Sequence, residues 1–143
     1  MLRRLLEQGC QARMLDMMSL AGERTSRIVG GTYVNVAKYT PRLFAAAYRA
    51  GDRLSSARRK SPVYYANTMM AGFLERYLRE NETDILVMPH LFPAETITYM
   101  KRRGKLAIPA VAIATDYTCI PFWEETDCDA YVLPHPDLAE EYI

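Results

Sequence analysis

Histidine, tryptophan and cysteine are scarce in this 143-residue chain, with two, one and three copies respectively. The cysteines (Cys10, Cys119, Cys128) form no CxxC pair and are too few for a disulfide framework, which favours a reducing, cytoplasmic setting. Neither His90 nor His135 has a second His or Cys at metal-ligand spacing, so no zinc site is expected. No apolar run approaches the ~18–20 residues of a membrane span. The opening MLRRLLEQGC has arginines without the apolar stretch that a secretory signal needs. GxGxxG, GxxxxGK(S/T), GxSxG and HExxH motifs are all missing. Gly30-Gly31 falls in a helical region and is no phosphate loop. Nothing in the chain alone binds a nucleotide, and no cofactor is expected.

Basic residues are missing from one whole end. Residues 106–143 hold eight acids and no Lys or Arg, while residues 1–105 hold all 18 bases against nine acids. The surplus peaks between Lys38 and Lys60, where Lys38, Arg42, Arg49, Arg53, Arg58, Arg59 and Lys60 face the single acid Asp52. Such a block is either a solvated helix face or a surface for an anionic partner. Tyr39, Phe44, Tyr48 and Leu54 interleave its cations, which suits anionic lipid. No recognised nucleic-acid module accompanies it, and no nucleic-acid partner is expected.

Half the residues are hydrophobic, enough for the core of one domain. Leu2, Leu5 and Leu6 predict a helical stub that Gly9 ends in a left-handed cap. Gln11 to Met17 is expected to be a strand, and about 19–56 an interrupted helical region with a second helix over 41–55. Residues 55–60 read as a basic loop. Ser61 as cap and Pro62 at the first helical position predict a helix to about Glu80. That helix should bury Tyr65, Met69, Phe73 and Tyr77 or their neighbours. Apolar strands follow at Asp84–Met88, Ile108–Ala114 and Tyr131–Leu133. Pro93 opens a helix ending near Gly104, and Pro136-Asp137 opens another. Continuous apolar strands between helices imply an α/β fold, a Rossmann-like parallel sheet with helices on both faces.

In such sheets ligands bind beyond the carboxyl ends of the strands, which selects Pro89-His90, Thr115-Asp116 and Pro134-His135. Asp116 there can orient a hydroxyl or accept its proton, or can simply cap its own turn. Trp123 lies in the Ile120-Pro121-Phe122-Trp123 stretch, either against a ligand or membrane or in ordinary packing. Pro121 and Phe122 make an apolar rim suited to an acyl chain. A lone histidine is more often structural than catalytic, and His90, close to Phe92 and Pro93 at a helix start, is the better functional candidate of the two.

The segments KYTPRLFAAAYRAGD, SPVYYANTMM, TDILVMPHLFPAETITYMKRRGK and IPAVAIATDYTCIPFWEETDCDAYVLPHPDLAEEYI occur in this order. Together they resemble the N-terminal domain of monogalactosyldiacylglycerol synthases and diacylglycerol glucosyltransferases, a glycosyltransferase family 28-like group. The resemblance implies the N-terminal half of a two-domain GT-B fold, metal-independent and inverting, that receives diacylglycerol while the other half binds a UDP-sugar. It implies Asp116 and His90 as cleft residues and an acceptor-binding set of Thr115, Asp116, Pro121, Phe122, Trp123 and Pro93. It also implies an anionic membrane partner for the basic residues, and a peripheral position on the cytoplasmic face.

The family's first strand and its GGGH-type loop, whose histidine is the expected base, have no counterpart after Met1. Nor is a donor-binding domain present before Ile143. Cys119-Ile120 stands where family members often carry histidine. The expectation is therefore a truncated acceptor-binding domain over 1–143, with a basic helical insertion at about 19–60. It should transfer no sugar alone and meet the UDP-sugar only through a missing C-terminal domain. Two rival readings are a non-catalytic membrane- or lipid-binding module and a transferase domain for a polyprenyl-linked acceptor.

Overall fold

The computed structural model describes residues 1–24, 27, 31, 39, 60–120 and 122–142. The helix expected over 41–55 lies outside these residues, as do Lys38, Arg42, Arg49, Arg53, Arg58, Arg59 and Pro121.

Local chemistry sets most element ends. Helix α1 (Leu2–Glu7) closes as its leucine spacing and Gly9 require: Gly9 has φ 83°, its N–H bonds Leu6 O, and the Cys10 N–H reaches back to Leu5 O. This double closure is the left-handed glycine cap. Residues 11–16 do not form the expected strand. Asp16 instead accepts from the Met18 N–H and Ser19 folds back onto Asp16 O, starting a 3-10 turn over Met17–Ala21. Residues 11–16 are largely exposed, whereas an inner parallel strand must be covered on both faces.

Ser61 caps α2 (Pro62–Thr68) through Tyr64 N, with Pro62 in the first turn. The single helix expected to Glu80 is divided, and α3 spans Ala71–Glu80. The Thr96 hydroxyl donates to Asn67 O at 2.9 Å, and Met69 and Met70 drop back to bonds three residues behind them. The outside partner thus competes for a ladder carbonyl where the helix breaks. Tyr65, Met69 and Phe73 are exposed, while their neighbours Tyr64, Met70, Ala71 and Leu74 enter the core.

Three parallel strands follow, β1 (Leu86–Met88), β2 (Ala110–Ile113) and β3 (Ala130–Val132), in the spatial order β1-β2-β3. Leu86 pairs with Ala110 and Val111 with Ala130. Between β1 and β2, α4 (Leu91–Arg102) packs on the two strands and against α2 and α3. Its start lies two residues before Pro93, because His90 supplies the cap. Its end is the predicted one: Gly104 has φ 65°, and the Lys105 N–H bonds Met100 O. After β3, a 3-10 turn (Pro136–Leu138) leads into α5 (Ala139–Tyr142). The core runs through Met88, Ala94, Ile97, Met100, Ala110 and Ala112. The architecture is α/β and Rossmann-like, as the alternation of apolar strands and helices predicted.

Candidate functional site

His90 and Asp116 follow the carboxyl ends of the adjacent parallel strands β1 and β2, and the Asp116 charge acts on the imidazole. His90 closes the first turn of α4: its Nδ1 accepts the Phe92 N–H at 3.3 Å, and its ring meets the Phe92 ring edge-on at 4.7 Å. With Nδ1 engaged, the neutral imidazole carries its proton on Nε2 and can only donate from there. Partial desolvation lowers the His90 pKa, and the negative charge of Asp116 opposes this. His90 is therefore a neutral donor at pH 7 and a poor general base. Asp116 is exposed, with Thr115, Tyr117 and Thr118 beside it also exposed. His135 repeats the capping role two strands further on, after β3, accepting from Asp137 N at 3.3 Å and lying 3.4 Å from the Asp137 carboxylate.

The loop after Asp116 is tied down from α5. Glu141 accepts the Cys119 N–H at 2.9 Å, and the Tyr142 hydroxyl donates to Thr118 O at 3.2 Å. Burial, reinforced by Cys119, Asp116 and Glu141, pushes the Tyr142 pKa up to about 12, so this phenol stays a donor. Burial likewise pushes the Cys119 and Cys128 thiols up to about 11, far from the thiolate that nucleophilic chemistry needs.

Trp123 does not line an open hollow beside Asp116. Its residue is 4% exposed and belongs to the core. The indole lies 6.2 Å from the Tyr142 ring and 6.5 Å from that of Tyr131, centroid to centroid. It sits in a 3-10 turn, Trp123–Glu125, rather than in a free loop. Its Nε1 has no hydrogen-bond partner among the described residues, an uncommon state for a buried indole. Phe122, also buried, enters that turn at φ 84°, the sole left-handed non-glycine among the described residues. Pro93 is half-buried in the first turn of α4. Of the expected acceptor set, Thr115 and Asp116 stand at the rim, while Phe122 and Trp123 lie beneath it. A depression of about 340 Å³ lies elsewhere, lined by Glu75, Arg79, Met100, Lys105 and Ile108 near the amino-terminal end of β2.

Sequence reasoning missed a buried acidic pair. Glu95 and Glu125 are both 0% exposed. Glu125 accepts the Ser61 N–H at 2.6 Å and the Ser61 hydroxyl at 3.0 Å, and its carbonyl accepts Lys60 Nζ at 2.8 Å. Asn67 Nδ2 donates to Glu95 Oε2, while Glu95 Oε1 makes no regular hydrogen bond among the described residues. Burial, with the approach of Glu125, outweighs the Asn67 bond and pushes the Glu95 pKa up to about 7. The available signal was an acid one helical turn after Leu91 and next to Ala94, on the face of α4 that turns inward.

A family model described as monogalactosyldiacylglycerol (MGDG) synthase matches residues 2–143. The chain belongs to the MGDG synthase family. The match corresponds to the N-terminal domain of that family, and the parallel sheet fits the same assignment. Membership in the MGDG synthase family points to glycosyl transfer in glycolipid synthesis and implies a lipid acceptor. No curated protein and no solved structure matches the chain. No described helix is long and apolar enough to cross a membrane.

Proposed function

We propose that this domain receives diacylglycerol for the transfer of a hexose from a UDP-sugar, and presents the free acceptor hydroxyl at the carboxyl ends of β1 and β2. The observation that supports this reading is the approach of His90 and Asp116 at two adjacent strand ends in a chain of this family. Asp116 offers an exposed carboxylate that accepts the acceptor's O–H, and the His90 Nε2–H donates to a neighbouring oxygen of the lipid. The apolar surface around Phe92 and Pro93 takes the start of the acyl chains. The basic block Lys38–Lys60 holds the domain to anionic lipid, peripherally. In this reading residues 1–143 take the acceptor's part in the reaction and are assigned no contact with the UDP-sugar. Catalysis of this kind requires the reacting groups held in one geometry, and these residues supply the acceptor half of it.

Equilibrium binding of dioctanoylglycerol in nonionic mixed micelles tests this. The chain should bind saturably, and Asp116→Asn should weaken binding by about tenfold, the worth of one charge-assisted hydrogen bond. Equal affinity of wild type and variant contradicts the placement. Displacement by a polyprenyl phosphate in preference to diacylglycerol contradicts the acceptor class.

A further inference from the structure

Glu125 stands at a junction that acceptor binding does not explain. It ends the three-residue turn that begins at Trp123, directly after the left-handed Phe122. Across 64 residues of sequence its carboxylate takes both the N–H and the O–H of Ser61, the cap of α2. The second acid, Glu95, comes from α4, the helix that His90 caps. One buried pair therefore joins three parts: the helix that starts at the β1 carboxyl end, the turn that follows the Asp116 loop, and the start of α2.

The surroundings of the pair are mixed. Lys60, Tyr64 and Asn67 face it from the α2 side, while Arg102, at the far end of α4, and Asp127, just after the turn, act on Lys60. Two ionised carboxylates that are both shielded from solvent repel strongly, and a single proton converts them into partners. A protonated Glu95 gives its otherwise unbonded oxygen a proton to share, so that Glu125 keeps Ser61 and faces no second charge. With Glu95 ionised, the least costly relief is for the turn carrying Glu125 to move away from α4. Trp123 and Phe122 move with it, and with them the packing under Tyr142 and the Asp116 loop.

We propose that the Glu95–Glu125 pair is a positioning device for the acceptor site, in which one shared proton holds the Phe122–Trp123 turn against the helix that carries His90. The inference rests on the reading that a lipid hydroxyl is received beside His90 and Asp116. Neither glutamate touches the lipid. A pKa of about 7 for Glu95 puts the change in the physiological range, with the turn held on the acid side and released on the alkaline side.

The test uses the full chain, with Trp123 as its single tryptophan. Trp123 emission and dioctanoylglycerol affinity in nonionic micelles are followed from mildly acid to mildly alkaline pH. Wild type should lose about tenfold in affinity as pH rises through neutrality, with a parallel red shift of Trp123 emission. Glu95→Gln, a permanent mimic of the protonated acid, should keep the acid-side affinity and emission at every pH. Ser61→Ala removes one of the two Ser61 bonds to Glu125, leaves both acids in place, and should move the alkaline release to lower pH. Affinity that is independent of pH in wild type, or a pH step that survives Glu95→Gln, overturns the positioning role while leaving the acceptor reading intact. Absence of dioctanoylglycerol binding at every pH, with a normal Trp123 transition, contradicts the acceptor reading itself.

Discussion

Asp116 and Trp123 are seven residues apart and end in opposite environments, one exposed at the sheet rim and one enclosed in the core. Their replacement should therefore separate stability from binding. Trp123→Ala should cost about 3–5 kcal/mol in denaturant unfolding, the range for a large buried aromatic. Asp116→Asn should stay within about 0.5 kcal/mol of wild type, as exposed substitutions do. Glu95 sets a pH dependence with a definite sign. Its folded pKa of about 7 lies above the usual value of 4.5, so the native state binds the extra proton between those limits. Stability then falls as pH rises through this window, by on the order of 3 kcal/mol for the pair of values, and is flat above it. Glu95→Gln should flatten that slope in unfolding titrations. The sequence indicated the positions of Asp116 and His90 after apolar strands, and the structure has them there. It hid Glu95 and Glu125, because a carboxyl pair brought together by tertiary packing leaves no spacing to read.

At the scale of elements, the ends that depend on neighbours in sequence were readable. Gly9, Ser61 and Gly104 each end or start a helix through bonds spanning three to five residues, and each does so in the structure. The break between α2 and α3 was not readable, since it coincides with a bond from Thr96 on another helix to Asn67 O. The same holds for the strand expected from Gln11 to Met17, where residues 11–16 form none and Asp16 caps a 3-10 turn instead. Ser61 carries two duties, capping α2 and satisfying Glu125. Ser61→Ala should consequently cost about 2–3 kcal/mol in unfolding, more than the ~1 kcal/mol of an isolated cap. A loss equal to that of a surface cap would mean that Glu125 finds another donor.

Across the whole molecule the charges divide, with every Lys and Arg before residue 106 and an acidic remainder that includes Asp116 and the turn of Trp123. A single molecule can thus be drawn to anionic lipid by one part while another faces the acceptor hydroxyl. Each cation near an anionic surface contributes about 1 kcal/mol, screened over about 10 Å at 0.1 M salt. Sedimentation with phosphatidylglycerol-containing vesicles should be strong at low salt and fade as salt rises, with none on pure phosphatidylcholine. Salt-independent sedimentation would contradict a charge-driven attachment.

The location of the acceptor is most directly measured by amide chemical-shift mapping of the isotopically labelled chain during titration with dioctanoylglycerol. Saturable shifts are expected at 90–92 and 114–120, the segments that leave β1 and β2. Shifts gathered instead around Glu75, Arg79, Lys105 and Ile108, at the opposite end of the sheet, would contradict it.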